Sequence, residues 1–65
     1  MSENTIGLAI KKRRQELKIN QQTLADLSGV GINTIVSIER GTGNPSLEVL
    51  LKIGHTLGMD LEFRI

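Results

Sequence analysis

Apolar side chains recur along this chain at two different periods, and the change between them divides it. Over residues 5–18, Ile6, Ala9, Ile10, Arg13/Arg14 and Leu17 return at helical spacing with charges between them, which predicts a first helix. Asn4 or Thr5 can cap it. Asn20 can cap a second helix with Leu24, Ala25 and Leu27 as its inward candidates. That helix stops after about two turns at Ser28-Gly29, where glycine supplies the left-handed conformation of a helix end. Val30-Gly31 makes a tight connection to a third helix, from about Ile32 to Arg40, which buries Ile35 and Ile38 and ends at Gly41. Gly41-Thr42-Gly43-Asn44-Pro45 is a loop by composition. Ser46 caps a fourth helix through about Leu57, with Leu47, Leu50, Leu51, Ile53 and Leu57 as its apolar positions, and Gly58 ends it.

After Gly58 the period falls to two. Leu61, Phe63 and Ile65 alternate with Asp60, Glu62 and Arg64, with Met59 extending the apolar series, as in a half-buried strand. One strand cannot satisfy its own backbone donors and acceptors, and no other stretch reads as a strand. The same strand from a second copy, paired antiparallel about a twofold axis, would satisfy them; the other reading is a frayed tail. The expected organisation is therefore a flexible segment 1–4, a helical domain 5–58 and a dimerisation strand 59–65 carrying Leu61, Phe63 and Ile65.

Length and composition point the same way. At 65 residues there is room for one domain, and so small a core supplies only about 3–5 kcal/mol without a staple. The chain has no Cys, which excludes disulfides and thiolate zinc sites, and a lone His55 cannot build a metal site. A second copy is the staple left, so no metal and no cofactor are expected. No apolar run approaches the roughly 20 residues of a membrane span. Met-Ser-Glu-Asn at the start lacks a signal peptide's basic region and apolar stretch. A cytoplasmic location, away from membranes, is the expectation.

The net charge of +1 is unevenly spread. Residues 1–20 carry +3, through Lys11, Lys12, Arg13, Arg14 and Lys18 against Glu3 and Glu16, while residues 21–43 and 44–65 carry −1 each. The positive end suits phosphates or is a solvated helix face. Catalysis is not expected. Ser46 is a helix cap and Glu48 lies about two turns from His55, so no nucleophile or carboxylate converges on the histidine. The glycines at 41 and 43 lack the following Lys of a phosphate loop.

Residues 21–41 read as a short helix, a glycine-containing turn and a second short helix. Two helices so joined pack at about 90–120°, and the second can enter the DNA major groove. Three runs of residues carry a closer resemblance. The first is Arg14-x-x-Leu17-x-Ile19-Asn20-Gln21-x-x-Leu24-Ala25-x-x-Ser28-Gly29-Val30. The second is Thr34-Ile35-x-x-Ile38-Glu39-Arg40-Gly41. The third is Pro45-Ser46-x-x-x-Leu50-x-Lys52-Ile53-x-x-x-Leu57-Gly58. Together they resemble the XRE family of phage-repressor and Cro-like helix-turn-helix regulators over about residues 6–58. The strand-like tail resembles the short HipB-type antitoxins within that family.

The resemblance implies an all-α, lambda-repressor-like domain of four to five helices with a C-terminal strand pairing across a homodimer. It also implies roles. Gln21 would bond a DNA phosphate, and the third helix would read bases. Asn33 is the leading reader, since Asn bonds adenine bidentately and aliphatic groups pack on thymine methyls. Ile32 is expected outward, Val36 is open between reading and core, and Ser37 completes the face. Thr34, Arg40, Thr42 and Asn44 would contact the backbone, with Lys11 and Arg13 adding attraction. Arg14 and Glu39 would form an ion pair joining the first helix to the third. Gly31 departs from the Ser or Thr usual in the family and offers no hydroxyl.

The expected function is thus a sequence-specific regulator, a repressor on a palindromic operator in double-stranded DNA, nucleoid-associated in a prokaryote or phage. Two alternatives stand beside it: an antitoxin neutralising a partner toxin while regulating its own operon, and an interaction module that has lost DNA reading.

Overall fold

The computed structural model describes residues 5–60, and within them the chain forms four helices: α1 (Thr5–Glu16), α2 (Gln21–Ser28), α3 (Ile32–Arg40) and α4 (Leu47–Leu57). The expected strand with Leu61, Phe63 and Ile65 and the segment 1–4 lie outside the described residues. Among the described residues no helix is long and apolar enough to cross a membrane.

Local chemistry sets each boundary. The Asn20 side chain accepts the Thr23 N–H at 2.7 Å and the Ser46 hydroxyl accepts that of Val49 at 3.2 Å, starting α2 and α4. Gly31 precedes α3 without a side-chain cap. Three helices end in the same paired backbone bonds. In α3 the Gly41 N–H reaches the Ile38 carbonyl (3.0 Å) and Thr42 reaches Ser37 (2.9 Å). In α4 Gly58 reaches His55 (3.3 Å) and Met59 reaches Gly54 (2.8 Å). In α1 Lys18 reaches Gln15 (3.0 Å) and Ile19 reaches Arg14 (3.3 Å). Here the left-handed residue is Lys18 itself, at φ 59. The first helix therefore stops at Glu16 rather than 18, because the left-handed turn at Lys18 breaks the helical ladder after the Leu17 N–H has bonded the Arg13 carbonyl at 3.1 Å.

Ile10, Leu24, Ala25, Val30, Ile35, Ile38, Ile53 and Leu57 form the buried core, with Ile19, Val49, Leu50 and Met59 packed against it. The inner line of α1 is Gly7, Ile10 and Arg14. This corrects the expected stripe: Ile6 and Ala9 are exposed, and Leu17 lies exposed beyond the helix end. Burying Arg14 rotates α1 onto the 7–10–14 line, since those positions share one face. Leu27 is also exposed rather than inward, because Leu24, Ala25 and Val30 already fill that side. On α4, Ile53 and Leu57 are buried and Leu50 packs beside them, whereas Leu47 and Leu51 point out. Positions 50, 53 and 57 define one face of a helix, and 47, 51 and 55 define another. Val30 is the core residue hidden in the sequence: it sits in the turn between two glycines, yet only 6 % of it is exposed.

The layering follows from the contacts. α1 and α2 each pack against both α3 and α4, while α3 and α4 share little contact. The described body measures 33 × 22 × 20 Å.

Candidate nucleic-acid interface

The turn between α2 and α3 is short because Gly29, at φ 74, ends α2 by donating its N–H to the Ala25 carbonyl at 3.0 Å. Ser28 braces the turn: its hydroxyl donates to the Leu24 carbonyl (2.7 Å) and accepts the Val30 N–H (3.3 Å). Val30 then plugs into the core. Two residues later α3 begins, its inner face filled by Ile35, Ile38 and Glu39.

A buried ion pair fixes α3 against α1. Arg14 Nε donates to Glu39 Oε2 at 2.8 Å and Nη2 donates to Oε1 at 2.9 Å, a bidentate fork. The third guanidinium nitrogen, Nη1, donates to the Ile19 carbonyl at 2.8 Å, so Arg14 also holds the α1–α2 connection. Both side chains are almost wholly buried. Hydrogen bonding to Glu39, opposed by burial and aided by the carboxylate's charge, raises the Arg14 pKa above its ordinary value. Gln21, first residue of α2, donates from Nε2 to Glu39 Oε1 at 3.2 Å. Since Glu39 ties both the opening of α2 and the side of α1 to α3, the three helices share one polar joint. The fork, the Ile19 bond and the Gln21 bond are details the sequence spacing did not reveal.

With its inner face thus occupied, α3 presents the opposite one. Asn33 is exposed and Ile32 is 36 % exposed, while Thr34, Val36 and Ser37 are half-buried. Asn33, Thr34 and Ser37 of α3 line a shallow hollow together with Thr42, Asn44 and Pro45 of the following loop. Five of the expected contact residues therefore converge there: Asn33, Thr34, Ser37, Thr42 and Asn44. Their amide and hydroxyl groups can donate and accept hydrogen bonds. The Thr42 hydroxyl donates to the Ser37 carbonyl at 3.2 Å, which folds the loop back onto α3. Arg40 is exposed at the end of the same helix. Val36, left open by the sequence, is half-buried beside it.

The expected α1 cations do not join this surface. Lys11 is exposed on α1 and lies outside the hollow. Arg13 faces α4, where its Nε donates to the Leu57 carbonyl at 2.9 Å. A cation bonding the last carbonyls of a helix complements the partial negative charge there. Its contact with Glu16 is long, at 3.9 Å, and solvent-exposed, so it contributes little.

Comparison with known proteins places this arrangement. A family model described as helix-turn-helix matches residues 10–63. The chain belongs to the XRE-type helix-turn-helix family.

The relatives of this helix-turn-helix chain carry matching names. An uncharacterised HTH-type transcriptional regulator of Haemophilus influenzae is 50 % identical over 63 residues, covering 91 % of this chain and 64 % of the relative. An uncharacterised HTH-type regulator of Methanothermobacter thermautotrophicus is 37 % identical over 78 % of this chain and 74 % of the relative. The cryptic phage CTXphi transcriptional repressor RstR of Vibrio cholerae is 36 % identical over 80 % of this chain and 47 % of its own length. Several relatives are thus longer: the chain spans only 18 % of a putative HTH-type regulatory protein of Methanococcus maripaludis.

Proposed function

We propose that this chain is a sequence-specific DNA-binding transcriptional regulator, acting in the cytoplasm as a homodimeric repressor on a palindromic operator. One observation carries the reading: the inner face of α3 is locked by the buried Arg14–Glu39 fork while Asn33, Thr34 and Ser37 open onto a shallow hollow of mixed polar and apolar lining. A helix in the major groove reads base edges with hydrogen-bonding side chains and thymine methyls with apolar ones, and it must be held in place from behind. In this reading Asn33 contacts a base edge, Ile32 and Val36 pack on methyl groups, and Ser37 adds a hydrogen bond. Gln21, Thr34, Arg40, Thr42 and Asn44 hold the phosphate backbone and fix register, and Lys11 and Arg13 add long-range attraction. Gln21 suits this role because an amide nitrogen carries two hydrogens, and only one of them is committed to Glu39. The relative named as a phage repressor supports repression, and occupancy of a promoter would achieve it.

The test is selection of bound duplexes from a random pool with the purified chain. A recovered palindrome with half-sites about one helical turn apart is the expected result. Absence of any enriched sequence at low salt would overturn the reading. Asn33→Ala, whose side chain lies outside the core, should weaken binding to the selected site by about 1–3 kcal/mol while leaving the thermal melt unchanged.

A further inference from the structure

We infer that Gly31 is a specificity-determining residue: its missing side chain lets a base edge in the major groove lie against the backbone where α3 begins. The inference rests on the DNA-reading function above and adds to it a position that carries no reading group of its own. Gly31 lies immediately before α3 in extended backbone, at φ −60 and ψ 144. Any L residue adopts those angles. A Cβ built there meets no heavy atom within 4 Å beyond its immediate chain neighbours. Among the described residues, neither conformation nor packing therefore asks for glycine at this position.

The other glycines make the contrast. Gly29, Gly41, Gly43 and Gly58 sit at positive φ, where a side chain is strained. A Cβ on Gly54 would come 3.2 Å from the Met59 carbonyl oxygen, and Gly7 is buried on the inner line of α1. Glycine at 31 also costs the fold a cap. α2 and α4 start from Asn20 and Ser46, whose side chains accept a first-turn N–H, while α3 starts with no side-chain cap. A residue that leaves a helix uncapped, with room for a side chain and no strain to relieve, answers to a demand from outside the chain.

The position says what makes the demand. Gly31 is exposed, and so are the next two residues, Ile32 and Asn33, which the DNA reading sets against base edges. The N-terminal residues of a recognition helix are the ones that contact the bases. With only a Cα at its head, α3 can seat with that carbon at van der Waals distance, about 3.5–4.0 Å, from a groove atom. A methyl at the same point would fill that gap and lift Ile32 and Asn33 off their base pairs. Binding that rests on phosphates alone carries no sequence information and needs no such fit. The effect of a side chain at 31 therefore falls on the preferred sequence and spares random duplex.

The test uses the full chain, with Gly31→Ser read by thermal melting and Gly31→Ala by fluorescence anisotropy on the selected duplex and on a random one. Gly31→Ser should melt a few degrees higher than wild type, because its hydroxyl caps α3 and its backbone is less free when unfolded. Gly31→Ala should keep the wild-type helical circular dichroism signal at the assay temperature. It should bind the selected duplex at least about tenfold more weakly, the worth of one base-edge contact, with its affinity for random duplex at low salt unchanged. Wild-type affinity of Gly31→Ala for the selected duplex, or equal weakening on both duplexes, overturns the inference and leaves the DNA reading standing. A lower melting temperature for Gly31→Ser, or a Gly31→Ala chain that does not fold, shows an internal need for glycine and overturns it as well. A wild-type chain that prefers no duplex overturns both the inference and the reading.

Discussion

Arg14→Ala is the substitution that tests the polar joint most directly. It deletes three hydrogen bonds of 2.8, 2.9 and 2.8 Å, two to Glu39 and one to the Ile19 carbonyl. It leaves the Glu39 carboxylate, whose side chain is 4 % exposed, with the 3.2 Å bond from Gln21. Removing one member of a buried pair costs about 3–5 kcal/mol, because the remaining charge has neither water nor counter-ion. A domain of 65 residues, at roughly 0.05–0.15 kcal/mol per residue, has about 3–10 kcal/mol to lose. A core this small sits toward the lower end of that range. Arg14→Ala is therefore expected to unfold the chain at room temperature, read as loss of the helical circular dichroism signal and of a cooperative melt. A second variant separates charge from packing. Arg14→Met with Glu39→Leu removes both charges and keeps bulk at the site, and such replacements are often neutral or stabilising. The double variant should fold and melt cooperatively where Arg14→Ala does not. A normal melt for Arg14→Ala, or a double variant no better than Arg14→Ala, would refute the account of the joint.

Three further outcomes follow from other contacts. Lys18→Gly should raise stability by about 0.5–1 kcal/mol in a urea titration, because relief of the left-handed strain exceeds the added freedom of the unfolded chain. Arg13→Ala should lower stability by the worth of one charged hydrogen bond to the Leu57 carbonyl, about 1–2 kcal/mol for a half-exposed group, and weaken duplex binding modestly at low salt through lost long-range attraction. Gln21→Ala should weaken the selected site and random duplexes by a similar factor and reduce the salt slope, the signature of a phosphate contact; loss of sequence preference instead would place Gln21 on a base.

How far the chain was readable from its letters depended on whether a feature is local. Asn20, Ser46, Gly29, Gly41 and Gly58 act on backbone groups within a few positions, and the helix starts and ends they predict stand within two residues of those observed. Lys18 shows the limit: it does a glycine's work at φ 59 with a side chain that gives no sign of it, and the expected end of α1 ran long. Facing was harder still. Leu47 and Leu51 looked like core because every leucine on a helix does. Only the packing of Ile53 and Leu57 against Leu24 and Ile35 in one cluster decides which of two stripes turns inward. In α1 the arginine decided it, since a buried guanidinium outranks an exposed Ile6 in fixing the helix's rotation.

The same reasoning explains why candidate contact residues divided as they did. Asn33, Thr34 and Ser37 share a face of one helix, and the Thr42 bond to the Ser37 carbonyl brings the loop with Asn44 beside them, so their convergence needs only α3 and its exit. Arg13 and Arg14 are adjacent in sequence but point about 100° apart on a helix, so one reaches α3 and the other the end of α4. That angular step gives two neighbouring arginines separate structural roles. Arg14 fixes α3 against α1, and Arg13 anchors the end of α4. A basic cluster counted as charge alone would assign both to phosphates; the hydrogen bonds assign one to each joint of the scaffold.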